Sequence, residues 1–369
     1  MLGALKNVYR GRRVLVTGHT GFKGSWLSLW LTRLGAEVTG VALPPPTQPN
    51  LFEALDLTDL VTHEEIDIRD ADRLKAVLDQ VRPSIVFHLA AQPIVRRSYL
   101  EPLETLDINI MGTANLLEAI RATPDIEAAV MVTSDKCYEN REWVFGYRET
   151  DAMGGSDPYS CSKGVAELVT AAYRRSFFEG EGAGKGSARI ASVRAGNVIG
   201  GGDWAEDRLV PDIVRAAFKN EPVMIRNPLS TRPWQHVLEP LSGYLTVAAK
   251  LLEADGEGFA EGWNFGPPDD GIVDVRRLAD LICAAWGEGA PRFQFGKTGD
   301  QRHEAKLLRL DIAKATTLLG WRPCLNVEET VSWTVDWYKS HHATPENARA
   351  ITERQIEQYA AFADRSSDR

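Results

Sequence analysis

The feature that most constrains the fold is an alternation of short apolar runs with longer helical patterns over the first 200 residues. Such alternation predicts parallel strands joined by helical crossovers. Several strand cores, such as Val14-Leu15-Val16 and Ile85-Val86-Phe87, are continuously apolar, as expected for strands that helices cover on both faces. The sequence therefore predicts an α/β fold built on a doubly wound parallel sheet.

The strands and helices that this alternation predicts are short. Six strands are expected at Arg13 to Thr17, Glu37 to Leu43, Val61 to Ile66, Ile85 to Leu89, Ala129 to Ser134 and Ile190 to Ala195. Four helices are expected at Thr20 to Leu34, Asp70 to Val81, Glu101 to Arg121 and Pro158 to Phe178. Beyond Asn197 the alternation weakens, which predicts a smaller mixed α/β region. We expect a sheet domain over 1–198 with a return segment near 232–265, a mainly substrate-binding region over 199–338, and a polar C-terminal helix and tail over 339–369.

Composition narrows the class of protein. The chain has 369 residues, of which 44% are hydrophobic and 25% charged, as in a globular protein with a full core. Its net charge of -9 argues against general binding of nucleic acid, which requires a basic surface. No apolar run approaches the roughly 20 residues that span a bilayer, and the four cysteines form neither a C-x-x-C pair nor a cluster with histidine. We expect a cytoplasmic protein that binds neither membrane nor metal.

A glycine-rich turn links the first strand to the first helix. Val14-Leu15-Val16 runs directly into Thr17-Gly18-His19-Thr20-Gly21-Phe22-Lys23-Gly24, and a helical pattern follows. In a dinucleotide-binding Rossmann domain, glycines at this spacing permit the tight turn, the approach of a pyrophosphate to backbone N-H groups, and close packing of helix on sheet. The turn predicts a nicotinamide dinucleotide held by Gly18, His19, Thr20, Gly21, Phe22, Lys23 and Gly24.

The ends of the next strands bear on the choice between NAD and NADP. NAD-binding domains carry an acid about 20 residues further on, which holds the adenosine ribose. Glu37 fits that count but precedes the second strand, and no arginine stands at the strand's end, Val41-Ala42-Leu43. NAD is therefore favoured, and the ribose contact stays open. Further cofactor contacts are expected after the third and fourth strands, at Asp67, Ile68, Leu89, Ala90 and Ala91.

Tyr159 and Lys163 are the predicted redox pair. They lie four residues apart behind Pro158, so that both face the same side of a helix. An ammonium near a phenol favours the phenolate and lowers the pKa of the phenol from about 10, which makes tyrosine a general base toward a hydroxyl. The pair alone is common, but together with the glycine turn it predicts a dehydrogenation step that also uses both residues to hold the cofactor.

Three polar residues follow the fifth strand. Ser134-Asp135-Lys136 emerges at the carboxyl edge of the predicted sheet, where open α/β sheets bind ligands. We expect Ser134 to hydrogen-bond a substrate hydroxyl, Asp135 to deliver a proton, and Lys136 to accept a proton or to orient a water molecule. The alternative is a surface turn with an ion pair between Asp135 and Lys136.

Longer segments carry a family resemblance. They read Arg194-Ala195-Gly196-Asn197-Val198-Ile199-Gly200-Gly201-Gly202-Asp203-Trp204, Arg232-Pro233-Trp234-Gln235-His236-Val237 and Gly262-Trp263-Asn264-Phe265-Gly266-Pro267. From about residue 9 to about residue 338 the chain resembles the extended short-chain dehydrogenase/reductase family, and within it the nucleoside-diphosphate-sugar 4,6-dehydratases. Most of that group have Thr-Asp-Glu where this chain has Ser134-Asp135-Lys136. The Asp-Lys pair resembles the members that act on CDP-glucose.

The resemblance implies a lyase of deoxysugar biosynthesis that makes CDP-4-keto-6-deoxyglucose from CDP-glucose with no net use of NAD. It assigns Tyr159 and Lys163 to oxidation at carbon 4, and Asp135 and Lys136 to the loss of water across carbons 5 and 6, before hydride returns to carbon 6. It also implies a homo-oligomer. Substrate contacts are expected at Gln92, Arg194, Asn197, Arg232 and Arg302. The three arginines suit the diphosphate, because a guanidinium group can bind phosphate through two hydrogen bonds.

Other functions share part of this pattern. Another nucleotide-sugar 4,6-dehydratase, or a nucleotide-sugar 4-epimerase, would keep the glycine turn and the Tyr-Lys pair. An epimerase does not need a proton donor and a base for carbons 6 and 5, so Asp135 and Lys136 favour elimination. A non-catalytic dinucleotide sensor would keep the glycine turn without an active tyrosine, so Tyr159 and Lys163 count against it.

Overall fold

A parallel sheet of seven strands forms the centre of a computed structural model, which describes residues 2–180, 187–225, 227–268, 271–296 and 307–367. The strands are β1 (Arg13–Thr17), β2 (Glu37–Ala42), β3 (Thr62–Glu65), β4 (Ile85–His88), β5 (Ala128–Val132), β6 (Arg189–Ala195), β7 (Val198–Ile199), β8 (Pro222–Ile225), β9 (Thr231–Pro233), β10 (Gln235–His236), β11 (Gly262–Phe265), β12 (Ile272–Asp274) and β13 (Arg292–Phe295). In the central sheet the strand order is β11-β6-β5-β4-β1-β2-β3.

Helices follow most strands of the central sheet. They are α1 (Leu2–Tyr9), α2 (Phe22–Arg33), α3 (Leu51–Ala54), α4 (Ala71–Val81), α5 (Val95–Leu100), α6 (Pro102–Leu106), α7 (Gly112–Arg121), α8 (Pro158–Tyr173), α9 (Leu209–Lys219), α10 (Leu238–Leu251), α11 (Val275–Trp286), α12 (Val327–Ala343) and α13 (Ala348–Ser367).

Alternate residues of the strands pack into two separate cores. Val14 and Val16 of β1 lie in the core that contains Trp26 and Trp30 of α2, together with α10 and α13. Leu15, between them, lies in the core on the other face, which contains side chains of α4 and α7. Because successive side chains of a strand point to opposite faces, burial on both faces explains the continuous apolar runs. The predicted doubly wound parallel sheet is confirmed.

The predicted elements match the structure closely. Each of the six predicted strands is present, with ends within two residues of the prediction. The helix predicted over Glu101 to Arg121 is present as α6 and α7 joined by a π-helical turn at Asp107–Met111, and α8 likewise continues into a π-helical turn at Arg174–Phe178. Among the first 200 residues, helices α1, α3 and α5 were not predicted.

The later part of the chain adds one strand to the central sheet and builds a smaller region. Strand β11 pairs with β6, and α10 packs over β5 and β6. Strands β8 and β13 pair in parallel, whereas β9 and β12 pair antiparallel, so the smaller region is mixed, as predicted. Within the described ranges, no helix is long and apolar enough to cross a membrane.

Candidate active site

The glycine turn between β1 and α2 leaves room for a phosphate group. Gly18 has a positive φ of 74°, and a Cβ there would lie 2.6 Å from the backbone nitrogen of Ala90. A Cβ on Gly24 would lie 2.1 Å from the carbonyl oxygen of Gly18, so only glycine lets α2 lie this close to β1. Backbone N-H groups at a helix N-terminus attract anions, and the first turn of α2 contains no acidic residue. These residues fit the pyrophosphate of a dinucleotide.

A deep cleft runs from this turn along the carboxyl edge of the sheet. Most of the predicted cofactor residues line it, namely Gly18, Thr20, Gly21, Phe22, Lys23, Gly24, Asp67, Ile68, Leu89, Ala90, Ala91, Tyr159 and Lys163. Thr20 donates a hydrogen bond to the carbonyl oxygen of Leu43 (2.9 Å), which ties the glycine turn to the end of β2. Burial lowers the pKa of Lys23 to about 8. The cleft therefore offers a continuous binding surface for a dinucleotide.

The side chain of His19, one of the predicted cofactor residues, lies away from the cleft, which leaves its backbone for a contact with the cofactor. The ring is buried on β2, where a Cβ on Gly40 would lie 2.2 Å from it, and its Nε2 hydrogen-bonds Nδ1 of His63 at 2.8 Å. Burial lowers the pKa of His19 to about 3, so the ring is neutral. The side chain thus faces Gly40 on the sheet and not the cleft.

The acid that would hold an adenosine ribose is not Glu37. That residue begins β2 and pairs in register with Arg13, at the opposite end of the strand from the glycine turn. Asp67, beyond β3, lines the cleft as predicted. Its carboxylate pairs with Arg69 at 2.5 Å, and this pairing lowers the pKa of Asp67. An ionised carboxylate at the cleft wall is suited to accept hydrogen bonds from hydroxyl groups.

Helix α8 brings the redox pair to the cleft. It begins at Pro158, and Asp157 caps it by accepting the N-H of Ser160 at 2.9 Å. Tyr159 and Lys163 follow on the same helical face, and both are largely buried at the cleft wall. The predicted meeting of this face with the residues after β5 is present, because Lys136 Nζ lies 5.9 Å from the centre of the Tyr159 ring.

The electrostatics of Tyr159 differ from the prediction. Burial raises the pKa of its phenol to about 12, while a hydrogen bond with Ser134 and the charge of Arg208 act in the opposite direction. The predicted lowering of this pKa toward the working pH is therefore wrong for the protein alone, because desolvation raises it. Burial also lowers the pKa of Lys163 itself, to about 8. The site therefore holds Tyr159 as a neutral phenol, whereas the Lys163 ammonium titrates near pH 8.

Asp135 is placed as a proton donor. It is 3% exposed, and burial raises the pKa of its carboxyl despite the nearby charges of Lys136, Arg232 and Lys23. Ser134 donates a hydrogen bond to its Oδ1 at 2.9 Å. Its Oδ2 has no hydrogen-bond partner among the described residues. A carboxyl whose pKa is raised, and which has one oxygen unengaged, is suited to general acid catalysis.

Some of the predicted substrate residues line the cleft. Asn197 and Arg232 do so, and Arg232 lies near enough to Asp135 to act on its charge. Gln92 also lines the cleft, but its amide is engaged in the loop after β4. Its Oε1 accepts the N-H of Ile94 at 2.6 Å, and its Nε2 donates to Thr105 at 2.8 Å. Gln92 therefore shapes the wall of the cleft. Arg302 lies outside the described residues.

The prediction that Arg194 contacts substrate is wrong. Its side chain points to the α8 side of β6, where it forms a buried ion pair with Glu167 at 2.8 Å and donates to the Tyr138 hydroxyl at 2.6 Å. Because side chains alternate along a strand, Arg194 faces the same side of β6 as Ser192, toward Glu167 of α8 and away from the cleft. Arg194 thus supports the site from behind.

The sequence interpretation missed Arg208. Its side chain lines the cleft, 35% exposed, and pairs with Asp203 at 2.9 Å. Its charge favours the phenolate of Tyr159. The available signal was its position in the chain, four residues after the glycine-rich segment that ends at Trp204. That position does not show that the short connection folds back toward α8.

Known proteins share both the sequence and the fold. Residues 14–259 match the family described as NAD dependent epimerase/dehydratase. The chain is 54% identical over 335 residues to the CDP-glucose 4,6-dehydratase of Salmonella typhimurium strain LT2, a match that covers 91% of this chain and 92% of that protein. It is 26% identical over 341 residues to a dTDP-glucose 4,6-dehydratase of Xanthomonas campestris pv. campestris, covering 88% and 92%.

A solved structure shows the same architecture. The dTDP-glucose 4,6-dehydratase of Bacillus anthracis str. Ames, in complex with NAD, superposes with a TM-score of 0.73 at 20% identity, covering 90% of this chain and 98% of that one. At this identity the likeness concerns the fold. It confirms the predicted Rossmann-type sheet with its smaller mixed region.

Proposed function

The chain belongs to the NAD dependent epimerase/dehydratase family, and from this premise we propose that it converts CDP-D-glucose to CDP-4-dehydro-6-deoxy-D-glucose. The observation that carries the proposal is the meeting of Asp135 and Lys136 with Tyr159 in one cleft, which supplies a proton donor and a base beside a dehydrogenation pair. The 54% identity to a CDP-glucose 4,6-dehydratase supports the choice of substrate.

The first step is oxidation at carbon 4 of the sugar. NAD, when bound along the glycine turn, supplies the hydride acceptor for this step and the hydride donor for the last one. Tyr159 takes the proton of the 4-hydroxyl, and its hydrogen-bond partner Ser134 orients that hydroxyl. Tyr159 accepts this proton in its phenolate form, which the charge of Arg208 favours, and becomes the neutral phenol on accepting it. Lys163, one helical turn further along α8, holds the nicotinamide ribose in this proposal.

The second step is elimination of water. The 4-keto group makes the carbon 5 proton acidic, and Asp135 gives its proton to the leaving hydroxyl of carbon 6. The raised pKa of the buried carboxyl supports this role. Lys136 removes the carbon 5 proton, either directly or through a water molecule. When the hydride returns to carbon 6 of the resulting enone, Lys136 gives a proton back to carbon 5, which leaves the 4-keto-6-deoxy sugar. On the substrate side, we assign the diphosphate to Arg232 and Arg302, and sugar contacts to Asn197 and the wall formed by Gln92.

A panel of sugar nucleotides tests the substrate. The purified protein is incubated with the glucose conjugates of CDP, dTDP, GDP and UDP, and the 4-keto sugar is read by its absorbance in base. We expect product from CDP-glucose at a kcat/KM at least about tenfold above the other three, the ratio that about 1.4 kcal/mol of binding free energy gives. Product from another nucleotide at the higher rate would reassign the base. A sugar epimer without keto product would identify a 4-epimerase.

The surroundings of the site support three further proposals. Apolar side chains on α6, α8 and their π-helical turns are exposed, including Leu103 at 79% and Leu168 at 55%, and we propose that this face forms a homo-oligomer.

We propose a cytoplasmic location, since all four cysteines are unpaired, as expected in a reducing compartment. We also propose the functional division into a cofactor domain over 1–198, a substrate region over 199–338 and a C-terminal helix and tail.

A further inference from the structure

A buried carboxylate lies behind the redox pair, and the proposed reaction gives it no role so far. Glu167 is 4% exposed and lies one turn beyond Lys163 on α8. Its Oε1 accepts a hydrogen bond from Thr133, the residue that precedes Ser134. Its Oε2 accepts from Ser192 at 2.6 Å and from Arg194 at 2.8 Å, both on β6. Three donors from two strands therefore fix this carboxylate in one orientation.

Such a site is costly unless the carboxylate is charged and fully bonded. The bonds from Arg194, Ser192 and Thr133 outweigh desolvation and hold the pKa of Glu167 below its usual value. The carboxylate is thus a permanent negative charge under the sheet edge. Tyr159, Lys163 and Glu167 are spaced four residues apart, so they follow one another along the same helical face.

Lys163 is the group on which this charge acts. Burial alone disfavours its ammonium, and Glu167 is the strongest influence that favours it. Charged or titratable groups face this pair from every neighbouring element. They are Lys23 of α2, His88 of β4, Cys137 after β5, Arg174 beyond α8 and Arg194 of β6. Burial raises the pKa of the Cys137 thiol well above its usual value, so Glu167 supplies the negative charge that favours the Lys163 ammonium.

We propose that Glu167 is a positioning residue of the reaction, a fixed buried anion that lies one helical turn beyond Lys163 and favours its ammonium form at the cleft wall. It also holds the end of β5 through Thr133, so that Ser134 and Asp135 keep their places opposite Tyr159. This role rests on the proposed function of Lys163, but the effect of Glu167 on the charge of Lys163 can be measured in the protein without cofactor or substrate.

The titration of Lys163 tests this role directly. Lysine residues labelled with 13C at Cε are followed by NMR against pH, and the Lys163 signal is assigned by its loss in Lys163→Arg. The wild-type midpoint is expected near pH 8. Glu167→Gln removes the charge but keeps the shape, and we expect the midpoint to fall by about one unit or more, as for loss of a nearby opposite charge. At pH 8.5 the affinity for NAD should weaken by up to about tenfold, because the protonated fraction falls by that factor.

Two further variants separate charge from structure. Ser192→Ala removes one hydrogen bond to Glu167 and leaves its charge, so its Lys163 midpoint should match that of the wild type. If Glu167→Gln fails to fold because Arg194 is left unpaired, the double variant Glu167→Gln with Arg194→Gln removes both charges and should show a smaller fall, because loss of the Arg194 charge favours the Lys163 ammonium. An unchanged midpoint in the charge-removing variant, or an equal fall in Ser192→Ala, would overturn the proposal. No sugar nucleotide is present, so an error in the proposed substrate leaves the test valid.

Discussion

A Tyr159→Phe variant is expected to fold normally and to lose about 10²- to 10⁴-fold in kcat, the usual contribution of a positioned general base. The change removes only the hydroxyl of a side chain that is 8% exposed, so the aromatic packing is kept. Ser134 keeps its hydrogen bond to Asp135, which limits disturbance of the neighbouring turn. Without the phenol, no other group on the α8 face takes the proton of the 4-hydroxyl in the proposed reaction.

The measurement compares steady-state turnover of CDP-glucose with binding of the same substrate by calorimetry. Binding affinity should change little, while kcat falls. Ser160→Ala on the same helix is the matched control, because its hydroxyl bonds to the capping Asp157 and to no other residue that the structure describes. Full turnover in Tyr159→Phe would remove Tyr159 from the reaction.

An Asp135→Asn variant is expected to oxidise carbon 4 and to stop before water is lost. Asparagine still accepts the hydrogen bond from Ser134, but it has no acidic proton to give to the leaving hydroxyl. Loss of this general acid should lower the rate of 6-deoxy product formation by about 10²- to 10⁴-fold. The raised pKa of Asp135 implies that the wild-type acid is present at low pH and is lost as the pH rises through that pKa.

Rapid quench during a single turnover distinguishes the two steps. The variant should accumulate the 4-keto nucleotide that retains its 6-hydroxyl, whereas the wild type should proceed to the 6-deoxy product. Formation of the 6-deoxy sugar at the wild-type rate in Asp135→Asn would show that another group supplies the proton. Loss of the carbon 4 oxidation as well would indicate that Asp135 acts earlier than proposed.

The sheet and the glycine turn were predictable because local chemistry determines them. Continuous apolar runs such as Val14-Leu15-Val16 are stable only between two helical layers, and Gly18 and Gly24 occupy positions where a Cβ would overlap backbone atoms. The meeting of Ser134-Asp135-Lys136 with Tyr159 was predictable as well. Carboxyl ends of parallel strands share one edge, and α8 begins at that edge.

The errors concern side-chain direction and desolvation, which depend on contacts distant in sequence. Arg194 faces α8 because its register on β6 places it on the same side as Ser192, where Glu167 receives both. His19 lies on the sheet because Gly40 of the next strand leaves space for its ring. The pKa of Tyr159 is governed by burial, which no local spacing encodes. These three features require the packed structure.

The fate of the hydrogen at carbon 4 tests the proposed reaction most directly. CDP-glucose labelled with deuterium at carbon 4 is converted in ordinary water, and the product is analysed by NMR and mass spectrometry. Oxidation at carbon 4 followed by hydride return to carbon 6 predicts that the deuterium appears at carbon 6 of the 4-keto-6-deoxy product, within the same molecule. Deuterium that remains at carbon 4, or that is lost to water, would contradict a dehydration driven by transient oxidation.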